Sequence, residues 1–233
     1  MKLYKGSHKH LVAVDCIIFA YDIAEKEIKL LLIKRSIEPA KGKWSVAGGF
    51  VQDDESLDAA ASRVLKRLTG LDHMHLSQSS TYGSLNRDPG ARVISVSYSA
   101  LIKIQDLSPD AAGLYHAHWR SILKLPELIF DHGTMVADAL ENLREQIKRK
   151  PVGFELLPEK FTLVQLQDLY EALYQRPVDK RNFRKKILAM NILEKLDEKE
   201  KETSRKGAWY YRFIRERYQV LTRNGFYFNL DVN

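Results

Sequence analysis

Five basic side chains, Lys180, Arg181, Arg184, Lys185 and Lys186, fall within DKRNFRKKILAM, Asp179 to Met190. Side chains of this kind neutralise phosphates, and those near a helix start reach base edges in the major groove, Arg pairing with guanine and Asn with adenine. Arg181, Asn182 and Lys185 are the candidates for base readout. Phe183, Ile187 and Met190 recur at helical spacing and would seat such a helix on a core. A second basic group, Lys201, Arg205 and Lys206 before Gly207, suits contact with the sugar-phosphate backbone or minor groove, although Glu198, Glu200 and Glu202 interleave with it. The acidic residues Asp53, Asp54, Glu55 and Asp58 invite comparison with a divalent-cation site, which needs clustered hard oxygen ligands. Their ordinary reading is a solvated loop and first helical turn, where carboxylates favour the positive end of the helix dipole. No metal and no cofactor are expected.

These groups must be held by defined elements. Leu11 to Asp22 and Ile28 to Lys34 are β-branched and Leu-rich runs joined by a short polar stretch, and read as adjacent strands. Glu38 to Gly49 is dense in Gly and Pro and reads as loop, followed by a helix from Glu55 to Thr69 that Gly70 ends. Leu76 to Leu85 and Arg92 to Ile104 are extended, Trp119 to Leu123 is a further candidate strand, and Gly133 to Lys148 is an amphipathic helix. The pattern changes near Lys148-Arg149-Lys150-Pro151, with Gly153 and Pro158 beyond, which places a domain boundary between 1–150 and 151–233. After it come a helix from Leu163 to Tyr174 capped by Thr162, a second helix from Asp179 to Met190, and strands at Ile192 to Leu196 and Trp209 to Ile214. Helix, turn, helix and charged hairpin is the order of a winged helix-turn-helix.

The 233 residues and 45% apolar content, with three Trp, eleven Tyr and nine Phe, can fill two cores. The net charge of +7 favours a polyanionic partner. The lone Cys16, in an apolar run, excludes a disulfide framework and fits a reducing cytoplasm. No segment approaches the roughly 20 apolar residues of a membrane span, and no leader is apparent, so a cytoplasmic protein with no membrane partner is expected.

Gly49 to Leu71 resembles the Nudix box: Gly49, Glu55, Arg63, Leu65, Gly70 and Leu71 stand at the required spacing. In Nudix hydrolases the positions here filled by Val64, Arg67 and Leu68 are glutamates, the last two holding divalent cations against a diphosphate. Arg67 would reverse the sign of the local field, so the resemblance implies a scaffold without hydrolase activity. Glu55 and Arg63 are then expected to survive as a structural ion pair. Over nearly the whole chain, KRSIEPAKGKWSVAGGFVQDDES, LNRDPGARVISVSYSALI, LPELIFDH and FTLVQLQDLYEALYQRPVDKRNFRKKI resemble the Nudix-related transcriptional regulators, most like their arabinose-responsive branch. The implied fold is α/β (α+β), a Nudix-like mixed sheet flanked by helices and followed by a winged helix-turn-helix.

The resemblance implies a repressor, acting as a homodimer on a palindromic double-stranded operator and released when a pentose such as L-arabinose binds the Nudix-like domain. An ADP-ribose sensor controlling NAD metabolism is the alternative, and an active nucleotide-sugar hydrolase with a nucleic-acid-binding appendage is a third, opposed by the missing glutamates. Candidate ligand contacts are Arg35, Trp44, Phe50, Arg87, Asp88, Asp131 and His132, because aromatics cover the apolar face of a sugar while charged groups bond its hydroxyls. Core packing for Trp44 and Phe50, turn chemistry for Arg87 and Asp88, and a helix cap for His132 are equally open.

Overall fold

Leu11–Asp22 form β1, in which all ten residues from Ala13 onward are buried. Such unbroken burial, in place of alternation, belongs to a strand covered on both faces. In the computed structural model β1 lies at the centre of a seven-stranded sheet with the order β3-β2-β1-β6-β5, where β2 is Glu27–Lys34, β3 Trp44–Ser45, β5 Ser77–Tyr82 and β6 Val93–Lys103. Off this path, β4 (Ala47–Phe50) pairs antiparallel with β1, and β7 (Ala117–Ser121) pairs with β2.

The structure describes residues 6–72, 74–104, 117–149, 156–201 and 207–223. They fall into two compact units, one drawn from Met1–Phe19, Leu30–Ala100 and Leu107–Ala139, the other from Ala20–Lys29, Leu101–Asp106 and Leu140–Asn233. Lys150, Pro151 and Gly153, on which the expected domain boundary rests, lie outside the described residues.

Two short strands, β3 and β4, replace part of the loop expected before Gly49. Glycine weakens a strand unless another group needs the space its side chain would fill, and here two groups do. Gly48 stands opposite Asp15 and Gly49 opposite Val14. A Cβ on Gly48 would overlap the Asp15 carboxylate, and one on Gly49 would come within 2.9 Å of Val64. Helix α1 (Leu57–Thr69) follows. Ser56 caps it by accepting the Ala59 N–H at 3.2 Å, and Gly70, left-handed at φ 73°, donates its N–H to Lys66 O at 2.9 Å. Its apolar stripe, Ala60, Ala61, Val64 and Leu65, is buried.

Helix α2 (His132–Arg149) is divided between the two units after Ala139. The second unit continues with β8 (Phe161–Thr162), α3 (Leu163–Tyr174), α4 (Lys180–Ala189), β9 (Leu193–Glu200), β10 (Ala208–Phe213) and α5 (Arg215–Arg223). Thr162 and Gln165 form a reciprocal capping box at the start of α3. The strands make an antiparallel sheet, β8-β10-β9, and with α3 and α4 give the winged helix-turn-helix order. Leu166, Leu169, Tyr170, Phe183, Ile187 and Ile192 are fully buried, with the Tyr170 and Phe183 rings 5.4 Å apart, so Phe183 is the core residue that fixes α4. Among the described residues no helix is long and apolar enough to cross a membrane.

Candidate ligand cleft and nucleic-acid interface

In the first unit a cleft of about 540 Å³ is lined by residues of β1, β4 and α1 together with 35–37, 87–88, Phe130 and His132. Its α1 wall carries the box. Arg63 donates through Nε to Glu55 Oε2 at 2.7 Å and through Nη2 to Glu55 Oε1, and Nη2 also reaches Phe50 O at 3.0 Å. Glu55 accepts the Gln52 N–H at 2.8 Å as well. The Arg63 guanidinium, aided by Gln52, holds the Glu55 carboxyl down to about 2. Glu55 and Arg63 therefore brace the turn from β4 into α1.

A divalent cation does not fit this wall. Val64 is wholly buried against Gly49, Arg67 and Leu68 line the cleft, and Glu55 is committed to Arg63. Among the described residues no group of three His, Cys, Asp or Glu is placed to hold a metal ion. Arg67 is exposed, with its Nη2 close to Gly49, so a fixed guanidinium charge stands where the box would present carboxylates.

The cleft floor is a buried polar network that joins the expected Arg87, Asp131 and His132 to Asp15 and Ser95, which sequence reasoning missed. Asp15, 5% exposed in the middle of β1, accepts the Ser95 hydroxyl at 2.5 Å. Arg87, 8% exposed, clamps Asp131 with two hydrogen bonds of 2.8 and 2.7 Å, and its Nη2 stands 3.8 Å from Asp15 Oδ2. His132, the first residue of α2, has its Nε2 3.8 Å from Asp15 Oδ1. The Val46 N–H donates to His132 Nδ1 at 3.4 Å, while the Ser45 hydroxyl is spent on Val46 O at 2.7 Å. Ser45 Oγ also stands 3.3 Å from Nδ1, a contact that either neutral tautomer can make. Burial pushes the imidazole below its ordinary pKa, against the opposing pull of Asp15 and Asp131, so His132 is neutral near pH 7. A lone Asp inside an otherwise apolar strand was the one sequence clue to this network.

The residues expected to contact a ligand divide into two groups. Arg35, Phe50, Arg87, Asp88 and His132 line the cleft. Arg35 also holds its own loop, donating from Nε to Ile37 O and Pro39 O, and lies 5.5 Å from the Phe130 ring centre. Asp88 Oδ1 caps its turn by accepting the Gly90 N–H at 2.7 Å. Asp131 and Trp44 do not line it. Asp131 acts through Arg87, and Trp44 is packed edge-on to His118 with Lys34 and Arg120 over its ring at 5.2 and 4.9 Å. Arg63 and Arg67 join the cleft unforeseen as ligand contacts.

In the second unit α4 is capped by Asp179, whose Oδ1 accepts the Asn182 N–H at 2.7 Å. Lys180, Arg181 and Lys185 are exposed, while Asn182, Arg184 and Lys186 are partly covered. Lys180 and Arg184 line a pocket with Gln165, Trp209 and Tyr211, which leaves Arg181 and Lys185, one turn apart, as the outward pair. Arg205 and Lys206 lie outside the described residues. The hairpin supplies two cations not singled out beforehand: Lys195 and Lys199 stand 3.9 and 4.4 Å from the Trp209 ring centre. Three of the four acids interleaved with them are occupied elsewhere. Glu194 pairs with Arg212, Glu198 with Lys160, and Glu200 is buried. By the alternation of β9, Glu194, Glu198 and Glu200 fall on the face opposite Lys195 and Lys199, while Asp197 shares the lysine face.

Comparisons with known proteins match two successive stretches of the chain. Residues 9–139 match the NUDIX domain family and residues 153–213 the NrtR DNA-binding winged helix domain. The chain is 32% identical over 213 residues, 89% of its length and 84% of the relative's, to the ADPR responsive transcriptional repressor NtrR of Acinetobacter baylyi. NrtR of Shewanella oneidensis, solved with a 27mer DNA, superposes with a TM-score of 0.73 at 29% identity, covering 89% of this chain and 95% of that one. The NUDIX domain of the same Shewanella protein, solved with ADP ribose, gives 0.52 at 31% identity over 60% of this chain and 92% of that one. With both domains matched in order and the relationship running through nearly the full length, the chain belongs to the NrtR family of Nudix-containing, DNA-binding transcriptional repressors.

Proposed function

We propose that this chain represses transcription as a homodimer on a palindromic operator, and that ADP-ribose seated in the Nudix cleft sets its affinity for DNA. The observation that carries the ligand assignment is Arg67, a guanidinium on the cleft wall at a box position that in hydrolases serves a metal bound to diphosphate. Together with Arg35 it offers charge to a diphosphate without a cation, and a bidentate guanidinium suits phosphate geometry. The ADPR responsive repressor of Acinetobacter and the ADP ribose complex of the Shewanella NUDIX domain support the same choice over the pentose implied by the sequence resemblance. Hydrolysis is not expected, because the wall that would hold the metal is apolar and cationic. In the DNA-bound dimer, Arg181 and Lys185 face the major groove and the Lys195, Lys199 hairpin lies along phosphates.

A pentose remains the second reading, favoured by one feature. Arg63 and Arg87 are already neutralised by Glu55 and Asp131, so much of the cleft presents balanced charge, suited to an uncharged polyol. Gel shifts on DNA from upstream of the protein's own gene, in EDTA, separate the two: ADP-ribose and not L-arabinose should change the affinity. Retention of identical DNA affinity with both ligands would sink the ligand-responsive reading. Magnesium-dependent release of AMP from ADP-ribose, abolished by Glu55→Gln, would overturn the loss of enzyme activity.

A further inference from the structure

The floor of the cleft is built to hold sugar hydroxyls. Asp15, Arg87 and His132 all line it, and each is more than nine-tenths buried. Their polar atoms face one another across gaps of matching size: Asp15 Oδ1 to His132 Nε2 is 3.8 Å and Asp15 Oδ2 to Arg87 Nη2 is 3.8 Å. Both distances exceed hydrogen-bond reach, roughly 3.2 Å at most for N–H···O. Asp15 accepts the Ser95 hydroxyl through Oδ2 and turns its remaining acceptor capacity into these two gaps, which a bridging group would complete.

The chemistry of the three groups selects what that bridge is. Asp15 accepts only and Arg87 donates only, while His132 Nε2 donates or accepts according to its tautomer. A phosphate oxygen would satisfy the donors and be repelled by Asp15. An ammonium would satisfy Asp15 and be repelled by Arg87. A hydroxyl donates and accepts at once, and two adjacent hydroxyls would close both gaps, one between Asp15 and His132, the other between Asp15 and Arg87. The site is also rigid: Ser95 holds Asp15, Asp131 holds Arg87, and Val46 holds the imidazole. Gly48 leaves the space that the Asp15 carboxylate occupies.

We infer that Asp15, Arg87 and His132 form a subsite for a vicinal diol of a furanose or pyranose, with Asp15 as the residue that discriminates hydroxyls. This deepens the ligand reading above and rests on the same cleft, yet it does not depend on the sugar's source. The diol belongs either to a ribose of ADP-ribose or to a free pentose, and Arg67 tells them apart, since only the nucleotide carries charge for it.

Isothermal titration of the full-length protein in EDTA tests the subsite, using ADP-ribose, L-arabinose, ribose and analogues of each in which one hydroxyl is replaced by hydrogen. On wild-type protein, removal of one bridging hydroxyl should weaken binding at least tenfold, a measurement that needs no variant. Asp15→Asn should weaken the parent ligand by a similar factor or more, with melting temperature read alongside. Arg67→Gln should weaken ADP-ribose at least tenfold and leave a pentose unchanged. ADP-ribose binding that survives both Asp15→Asn and every hydroxyl deletion overturns the subsite and leaves the proposed function standing. Pentose binding that requires Asp15, with no ADP-ribose binding, upholds the subsite and overturns the nucleotide assignment. Failure of every sugar-bearing ligand to bind the wild-type protein overturns the inference outright.

Discussion

The Arg87 guanidinium is clamped onto the Asp131 carboxylate, Nε to Oδ2 at 2.8 Å and Nη2 to Oδ1 at 2.7 Å, with the arginine side chain only 3% exposed. A buried cation that loses its partner is more damaging than the pair is stabilising, because the remaining charge stays out of water. Asp131→Ala should therefore cost about 3 kcal/mol, which for a chain of this length lowers the melting temperature by roughly 6–12 °C. A shift below about 2 °C in differential scanning fluorimetry would show that Asp15 or solvent takes over the arginine.

Gly48 should be intolerant of the smallest side chain. Gly48→Ala drives a methyl into the Asp15 carboxylate, and overpacking of this kind costs about 1–3 kcal/mol. The collision is with one side chain, so Asp15→Ala should relieve it: the double variant should be more stable than additivity predicts. Additive effects of the two changes in chemical denaturation would mean that the strain lies in the backbone.

Acid should destabilise the protein through two groups. The folded-state pKa of His132 is lowered from 6.5, so below that value the unfolded chain takes up a proton that the folded chain refuses. Stability falls as pH drops below 6.5 and levels off once the folded value is passed, and His132→Asn should flatten this limb. Glu55 is held at about 2 against an ordinary 4.5, so its contribution is complete above 4.5 and disappears as pH falls towards 2. Glu55→Gln should remove that second limb. Urea denaturation midpoints measured across both ranges separate the two, and an unchanged profile in either variant contradicts its assignment.

On DNA the helix and the wing should differ in kind. Arg181→Ala should abolish discrimination between operator and unrelated sequence, whereas Lys195→Ala and Lys199→Ala should weaken both about equally. Each lysine removed should reduce the slope of log K against log salt by about 0.9. Unchanged operator preference in Arg181→Ala would move base readout to another residue.

Much of the fold was legible because its local chemistry is unambiguous. The apolar run of β1, Ser56 and Gly70 bracketing α1, and the Thr162–Gln165 box heading α3 all specify their elements within short windows. The strands β3 and β4 were not legible, since Gly48 and Gly49 disfavour extended pairing until Asp15 and Val64, distant in sequence, require the room. The same limit explains the site. Arg87 and His132 stood out as polar residues at turn and helix-start positions, but nothing local reveals that Asp15 lies between them. Trp44 left two readings open because an aromatic in a Gly-rich loop reads the same whether it faces a ligand or, as here, Lys34, His118 and Arg120. For the hairpin, the order of charges along β9 hid which face each occupied.

The placement of the Lys195 and Lys199 ammonium groups over the Trp209 ring gives the molecule an optical readout of its own. Indole emission responds to charges held close to the ring, and a polyanion drawing those ammonium groups away would change both wavelength and intensity. Trp44 sits in a comparable cationic setting in the other unit, beside Lys34 and Arg120. With Trp119→Phe as the background, Trp209→Phe or Trp44→Phe leaves a single indole, and unlabelled protein can report events at its wing and around its β3 strand independently.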